Sequence, residues 1–260
     1  NTPTAESITP STEPTAAVEE KPANEPVEVD TSAAIPDDDY ALLALDNISD
    51  DEEVSSAIEK LKRTGKEKSM RETFESLQKA GKPAKDALIR ALRADHPNVR
   101  MQAALILRRM KHRSKAYTVG LNDMLLSDPD PDVRGIAGRV MVYYLERKTV
   151  PALITALEGD KTEAVRMHAA WALGAIKDRR AVNALIASLD DISTDVRLRA
   201  VGALKRMRAK AAAPYLVSNL SDSNALVQQR AYEALKKITG KSLKNAEDVW
   251  RRVYPKPKSR

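Results

Sequence analysis

The 260-residue sequence predicts an all-α fold: a right-handed α-solenoid of about five helical hairpins with helical caps, preceded by a disordered tail. Two observations predict it, namely a dipeptide that recurs at a nearly constant interval and a composition poor in rings and glycine. Aromatic residues make up 4% of the chain, and it has 9 glycines and a single Phe. A core of Ala, Leu, Ile and Val suits closely packed helices better than sheets.

The recurring dipeptide is a Val followed by an Arg. It occurs as Val99-Arg100, Val133-Arg134, Val165-Arg166 and Val196-Arg197, and Val227-Gln228 continues the series without the Arg. The spacings are 34, 32, 31 and 31 residues. A nearly fixed period of this size is typical of helical repeat arrays.

Other residues keep the same phase and predict the second helix of each unit. Four and eight residues after each Val stand an Ala and a large apolar residue, which share one helix face with the Val: Ala103, Ala137, Ala169, Ala200, Ala231, and Leu107, Met141, Leu173, Leu204, Leu235. Three residues before each Val stand the predicted N-caps: His96, Asp130, Thr162, Ser193 and Asn224. Pro97 and Pro131 follow at the first helical position.

A second apolar stripe precedes each N-cap and predicts the first helix of each unit. It reads Leu88/Ile89/Leu92, Leu153/Ile154/Leu157, Leu185/Ile186/Leu189 and Leu216/Val217/Leu220, with a weaker version at Leu121 and Leu125. A unit of two short helices cannot bury its own apolar faces. The units must therefore stack on one another.

Three segments, DPDPDVRGIAGRVM, TEAVRMHAAWALGAIKDRRAVNALIASLDD and STDVRLRAVGALKRM, resemble HEAT-like repeats of the phycobilisome-lyase type. The resemblance covers residues 83–240 and implies an armadillo-like helical solenoid of a bacterial protein. It lies in structural positions, so it carries over the fold and no catalytic set. The sequence departs from the pattern at His96, Gly135, Gly138 and Gln228.

The remaining segments are predicted to flank this array. Residues 1–39, rich in Pro, Thr and Glu without apolar periodicity, predict a disordered acidic tail. We expect residues 40–82 to form an N-terminal helical cap and residues 241–254 a C-terminal capping helix, with Trp250 covering the last unit. Residues 255–260 are expected to fray.

The net charge of +6 is an average over two unlike regions. Residues 1–57 carry 15 acidic and one basic side chain, a net charge of −14, and residues 58–260 carry a net charge of +20. We interpret the acidic tail as a solvated spacer. Two alternatives remain: a segment that folds over the basic domain and competes with an anionic partner, and a tether near a cell envelope.

No group of residues in the sequence predicts catalysis, a metal site or a cofactor. Cysteine is absent, and the three histidines stand at different phases of the repeat without a partner at helical spacing. The stretch Gly240-Lys241-Ser242 lacks the earlier glycine and the strand of a P-loop. Asp128, Asp130 and Asp132 lack the Gly and Glu of a calcium loop and are interpreted as helix caps. We therefore predict no enzymatic activity.

Two sets of basic residues are candidates for binding a partner. The first is an arginine ladder that either pairs with Asp132, Asp195 or their equivalents and locks the stack, or faces an anionic ligand: Arg100, Arg134, Arg166 and Arg197. The second set lies where the second helices end, and it carries more positive charge than is needed to compensate the helix dipoles. Its members are Arg109, Lys111, Arg113, Arg179, Arg180, Arg206, Arg208 and Lys210. This second set predicts a basic edge along the solenoid.

The leading functional hypothesis is a non-enzymatic scaffold that binds a partner protein, expected to be acidic, through its concave face or its basic edge. The first alternative is binding of nucleic acid or another polyanion by the basic repeat domain. Against it, we see no aromatic residue interleaved with the basic clusters to stack bases. A more distant alternative, implied by the family resemblance, is a lyase or chaperone acting on a tetrapyrrole-bearing protein.

The compartment and oligomeric state are predicted from weaker features. The leader rich in Thr, Pro and Glu favours an exported protein of the cell envelope over a cytoplasmic one. No apolar run approaches the length of a membrane span. We expect a monomer.

Overall fold

The computed structural model describes residues 77 and 79–256, and every regular element within them is a helix. The predicted tail, residues 1–39, and most of the predicted cap, residues 40–82, lie outside the described residues, as do residues 257–260. Helical hairpins follow one another from Lys82 to Thr239, which confirms the all-α solenoid predicted from the repeat. Within the described part of the chain, no helix has the length and apolar character needed to cross a bilayer.

Each hairpin joins a first helix to a second helix through a short turn. The five hairpins are α1 (Lys82–Ala91) with α2 (Pro97–Arg109), α3 (Lys115–Ser127) with α4 (Pro131–Tyr144), α5 (Val150–Gly159) with α6 (Glu163–Ile176), α7 (Val182–Ala187) with α8 (Thr194–Met207), and α9 (Ala213–Leu216) with α10 (Ala225–Thr239). Short 3₁₀ turns precede α5, α7 and α9 and follow α7 and α9: Arg147–Thr149, Arg179–Ala181, Lys210–Ala212, Ser188–Asp190 and Ser218–Ser221. A last helix, α11 (Glu247–Val253), ends the described fold.

The second helices begin at the five predicted N-cap residues. The side chains of His96, Asp130 and Asn224 accept hydrogen bonds from backbone N–H groups of the first turn, as expected for caps. The side chains of Thr162 and Ser193 make no such bond, contrary to the prediction. The Thr162 hydroxyl instead accepts a hydrogen bond from Arg134 of the preceding unit.

The repeating apolar positions form one continuous core. The five valines are at most 1% exposed, and the Ala and the large apolar residue that follow each of them are fully buried. Burial of a side chain of this size stabilises the fold by about 1.5–3 kcal/mol. Second helices pack on their own first helices and on the second helices of both neighbouring units, so the core passes from unit to unit without a break.

Small residues allow successive second helices to come close together. A Cβ added to Gly174 of α6 would lie 2.5 Å from the Cβ and 2.7 Å from the Cα of Ala203 in α8. Side chains do not approach a backbone this closely in a packed interior, so glycine is required at this crossing. At Gly202 of α8 the nearest atom to an added Cβ is a guanidinium nitrogen of Arg206, 3.9 Å away.

The chain covers the last unit with an aromatic cluster. Trp250 of α11 is fully buried, and its indole Nε1 donates a hydrogen bond to the carbonyl oxygen of Lys244. Its ring meets Tyr232 of α10 edge to face at 6.4 Å between centroids and stacks on Tyr254 at 6.0 Å. The Tyr232 hydroxyl donates to the carbonyl oxygen of Leu243. Within the described residues, these contacts cover the apolar side of α10.

The two glycines make a matched test of helix spacing. We expect Gly174→Ala to lower the free energy of unfolding by about 1–3 kcal/mol, because its methyl group overlaps the backbone of α8. Gly202→Ala should raise it by about 0.5–1 kcal/mol, because alanine costs less backbone entropy in an open helical position. Urea unfolding followed by circular dichroism measures both, and equal shifts in the two variants would contradict the close approach of α6 and α8.

Candidate binding surface

Each ladder arginine pairs with an aspartate of the next unit. Nε and Nη2 of Arg166 donate to the two carboxylate oxygens of Asp191 at 2.8 and 2.9 Å. The same two-bond contact joins Arg100 to Asp128, Arg134 to Asp160 and Arg197 to Asp222. None of the eight side chains is more than 17% exposed. Paired donors on a planar fork fix geometry as well as energy, so each pair orients one unit on the next.

The remaining nitrogen of each ladder arginine binds within its own unit. Nη1 of Arg166 donates to the carbonyl oxygens of Asp160 and Lys161 at 3.0 and 3.2 Å, and the other three arginines make equivalent bonds. In the last unit Nε2 of Gln228 donates to the carbonyl oxygen of Asp222 at 2.7 Å. The glutamine keeps the bond within the unit and carries no charge that would need a carboxylate from a further repeat.

These contacts agree with the interpretation in which the arginines lock the stack. The acceptors are not Asp132 and Asp195, as predicted, but the aspartates five residues before each repeating Val: Asp128, Asp160, Asp191 and Asp222. Each of these also accepts a hydrogen bond from the backbone N–H of the N-cap residue. Since all three guanidinium nitrogens donate to protein oxygens, we assign the four ladder arginines no contact with a partner.

The ladder lowers the pKa of three of its carboxyl groups. Burial alone would raise the pKa of Asp160, Asp191 and Asp222, but hydrogen bonds from the paired arginine and a backbone N–H outweigh it and lower the pKa. The pKa of each ladder arginine is raised, chiefly by the hydrogen bond to its aspartate. These three pairs are therefore fully ionised at neutral pH and weaken only in acid.

Basic residues gather at the turns between units, and we call this side of the array the basic edge: Lys111, Arg113, Lys177, Arg179, Arg180, Arg208 and Lys210. All seven side chains are exposed. Arg180 pairs with Asp178 at 2.9 Å, and no other edge residue forms an ion pair with a described carboxylate. Arg109 and Arg206 lie beside the edge, exposed on the last turns of α2 and α8. The predicted basic clusters thus lie on one side of the array.

The conformation of the helix ends explains part of this edge. Lys111, Lys177 and Arg208 have positive φ angles of 51°, 58° and 49°, and Leu145 occupies the equivalent place in the second unit with φ of 51°. A residue in the left-handed region ends a helix, and a cation there complements the helix dipole. The other basic residues of the edge add charge beyond this requirement.

Outside the buried stripe, the second helices form a surface that we call the second-helix face, where arginines lie on aromatic rings. At 100° per residue, position six after each Val lies roughly opposite the buried stripe, and position three lies beside it. The guanidinium carbon of Arg199 in α8 lies 5.1 Å from the ring centroid of Trp171 in α6, and that of Arg108 in α2 lies 4.5 Å from Tyr143 in α4. A cation held over a ring is positioned without losing its charge.

His168 lies at the centre of the second-helix face and is only 9% exposed. A Cβ at Gly138 of α4 would be 3.2 Å from the Cβ of His168, and one at Gly135 would be 4.0 Å from Nδ1. The two glycines that break the repeat pattern therefore make room for this ring. Burial, with the charges of Arg139 and Arg199, lowers the pKa of His168 to about 4, so the imidazole is neutral at pH 7.

The second-helix face changes character in the last unit. Glu233 of α10 accepts a hydrogen bond from Lys205 of α8 at 3.0 Å and pairs with Arg230 at 3.4 Å. Arg230 and Arg199 occupy equivalent positions, each three residues after its repeating Val. The carboxylate of Glu233 compensates the charge of Arg230, whereas the ring of Trp171 supports Arg199. Among the described residues, no group of His, Asp and Glu could hold a metal ion.

Sequence reasoning missed four residues of the second-helix face: Tyr143, His168, Trp171 and Arg199. The expectation that no aromatic residue lies among the basic groups was wrong, because Trp171 and Tyr143 are distant in sequence from the clusters and meet arginines only across units. The available signal was their phase, since Trp171 and Arg199 stand six and three residues after their valines, outside the buried stripe.

A double-mutant cycle tests the ladder. We expect Arg166→Gln or Asp191→Asn alone to lower the free energy of unfolding by about 3 kcal/mol, because each leaves a largely buried polar or charged group without its partner. The loss of unfolding free energy in the double variant should be clearly smaller than the sum of the losses in the two single variants. Lys82→Gln, which removes an exposed pair with Asp86 within α1, is the control and should leave the urea midpoint nearly unchanged. Additive losses at Arg166 and Asp191 would rule out the proposed coupling.

The lowered carboxyl pKa values predict a loss of stability in acid. A depressed folded pKa contributes stability above the unfolded pKa, about 3.9 for Asp, and the contribution disappears as the pH falls through the folded pKa. The melting temperature should therefore fall as the pH drops below about 4. The Arg166→Gln variant has one ladder pair fewer, so its melting temperature should fall less steeply with decreasing pH. Thermal melts at constant ionic strength measure both profiles. Parallel profiles for wild type and variant would contradict the assignment.

Comparisons with known proteins agree with this geometry. A family model described as HEAT repeats matches residues 118–195 and 182–252. The CpcE–CpcF complex of phycocyanin lyase from Nostoc sp. PCC7120 is similar in structure, with a TM-score of 0.55 and 24% identity over 65% of this chain and 68% of that one. A designed armadillo repeat protein in complex with the peptide (KR)4 has a TM-score of 0.53 and 22% identity, and the match covers 74% of this chain and 95% of the designed protein. No curated protein sequence matches the chain.

At these identities the solved structures establish a shared architecture, and the sequence match carries the classification. The two matched segments together span residues 118–252, just over half of the chain, and contain α4 to α10 with the ladder pairs of Arg134, Arg166 and Arg197. The chain therefore belongs to the family of HEAT-repeat proteins.

Proposed function

We propose that the chain is a non-enzymatic scaffold that binds an acidic, extended segment of a partner protein along its basic edge and the adjoining second-helix face. One observation carries this proposal: the chain has two classes of basic residue. Ladder arginines are neutralised by buried aspartates, whereas Lys111, Lys177 and Lys210 and most of their neighbours on the basic edge form no ion pair with a described carboxylate. Uncompensated positive charge on one side of a solenoid attracts an anionic partner.

The spacing of the units suits an extended peptide. Packed helices lie about 8–10 Å apart, so the basic turns recur at roughly that distance along the array. A peptide in the polyproline II conformation has three residues per turn and advances about 3.1 Å per residue, so every third side chain lies on the same face, roughly one unit further along. An acidic residue at every third position could therefore meet one basic turn after another.

The designed armadillo protein supports this reading. It is in complex with the peptide (KR)4, so a similar helical array carries a charged peptide. The present chain has cationic groups on its edge and face, so the favoured peptide has the opposite sign.

Nucleic acid is the second candidate, because Trp171 and Tyr143 stand among the arginines. One face of each ring is already covered by a guanidinium group, which leaves less room for base stacking. The same charge pattern would also be compatible with phosphate contacts, so the binding assay includes an oligonucleotide. A tetrapyrrole-lyase role rests on the shared fold with the phycocyanin lyase subunits, and a bilin absorbance titration addresses it.

Fluorescence anisotropy of the full chain tests the proposal. The probe is a labelled peptide of repeated Glu-Ser-Ser, compared with Lys-Ser-Ser, with a peptide of the same composition whose Glu residues are contiguous, and with single-stranded DNA. We expect the spaced acidic peptide to bind most tightly and its affinity to fall as salt rises from about 50 to 200 mM. Tighter binding of DNA than of the acidic peptide would favour nucleic-acid binding over the proposed function. Binding of the basic peptide alone would overturn the proposal.

Charge reversal locates the surface. Arg179→Glu with Lys210→Glu changes two exposed residues of the basic edge and should weaken peptide binding at least about tenfold. The matched control reverses Arg90 and Lys161, which are exposed near the turns between first and second helices, and should weaken it far less. Equal losses would show attraction by net charge alone and contradict a defined surface.

A further inference from the structure

One ring nitrogen at the centre of the second-helix face lacks a hydrogen bond. Nδ1 of His168 is buried and has no partner within the described structure. The other ring nitrogen, Nε2, also makes no hydrogen bond to a described residue, but it is not fully buried. Nε2 is therefore the nitrogen that reaches the surface. With no acceptor near Nδ1, the neutral ring carries its proton on Nε2 and presents an N–H donor outward.

Positive groups from two neighbouring helices surround this donor. The charges that act on His168 are those of Arg139 in α4 and Arg199 in α8, and both are cations. Trp171, one turn along α6 from His168, lies under the guanidinium of Arg199 and limits its rotamers. Arg139 is 9% exposed, so it too is held by its surroundings.

We propose that Arg139, His168 and Arg199, with Trp171 supporting Arg199, form a subsite for a single anionic oxygen group, carboxylate or phosphate, carried on the bound segment. The inference rests on the proposed function and deepens it by naming where one acidic side chain of the partner is recognised. The three residues stand on three consecutive second helices, with His168 packed against α4 beside Gly138 and Arg199 held on Trp171, one turn from His168. An oxyanion accepts from N–H donors of both guanidinium and imidazole type, and each such bond is charge-assisted.

The repeat supplies its own control for this subsite. Arg230 occupies the position of Arg199 one unit further on, but it pairs with Glu233 at 3.4 Å, and the second helix before it carries an arginine, not a histidine, at the position of His168. Replacing either arginine by glutamine removes the same charge from the same face. A general field effect would treat the two variants alike, whereas a defined subsite distinguishes them.

The first experiment compares Arg199→Gln and Arg230→Gln in the full chain with the spaced Glu-Ser-Ser peptide. We expect about a tenfold loss of affinity for Arg199→Gln, the effect of one charge-assisted hydrogen bond, and less than about a twofold loss for Arg230→Gln. Equal losses would overturn the subsite and leave the proposed function standing. Circular dichroism melts of both variants confirm that the affinities refer to folded protein.

The second experiment needs no variant and no peptide. Acetate and inorganic phosphate are titrated separately into the wild-type chain at constant ionic strength, and the imidazole signals are followed by NMR. We expect millimolar binding that shifts the signals of His168 and raises its pKa, because a bound anion stabilises the imidazolium form. His96, whose Nδ1 accepts a hydrogen bond from the backbone N–H of Asn98 at 3.2 Å at the turn between α1 and α2, is the internal reference and should not respond.

The outcomes separate the two proposals and the two ligand sources. A response to acetate or phosphate at His168 without binding of the acidic peptide would support the subsite and overturn the proposed function. A response to phosphate alone would assign the subsite to a phosphorylated segment, and a response to acetate alone to Asp or Glu. Equal shifts of His96 and His168, or no shift of His168, would overturn the subsite.

Discussion

The two-bond contact between an arginine and the aspartate of the next unit is the interaction on which the array depends. A unit of two short helices has no core of its own, so its stability comes from the surfaces it shares with its neighbours. Apolar packing supplies most of that energy but is tolerant of small rotations. The planar fork of Arg166 on Asp191, with its third nitrogen on the carbonyls of its own turn, fixes the position of one unit on the next.

The same contacts divide the basic residues by function. A guanidinium largely buried with a carboxylate contributes little long-range field, because the pair is nearly neutral at a distance. The seven residues of the basic edge have no such partner among the described carboxylates, apart from Arg180. On the second-helix face a third arrangement appears, in which Arg199 rests on Trp171 and keeps its charge. The surface that can attract an anion is thus separate from the contacts that hold the fold.

The ends of the array follow from the same requirement. Arg197 is the last arginine of the ladder and pairs with Asp222, and position 228, which continues the series, holds a glutamine. Gln228 keeps the carbonyl bond without a charge, and Trp250 covers the apolar side of α10. At the other end of the ladder, Ala94 stands five residues before Val99, where the later units have an aspartate. Both substitutions are visible in the sequence, but their meaning depends on knowing which residues meet across units.

The sequence by itself determined the helical hairpins, their number and their buried stripe, because the spacing of Val, Ala and Leu sets one face of a helix independently of what packs on it. It also located the basic edge, because a helix end and the turn after it are local features. Only the tertiary structure decided that Asp191, and not Asp195, accepts Arg166, and that Arg199, Trp171 and His168 share a surface. The physical reason is that contacts between units depend on the offset and rotation of one hairpin on the next, which arise from close packing such as that of Gly174 on Ala203 and from no local pattern.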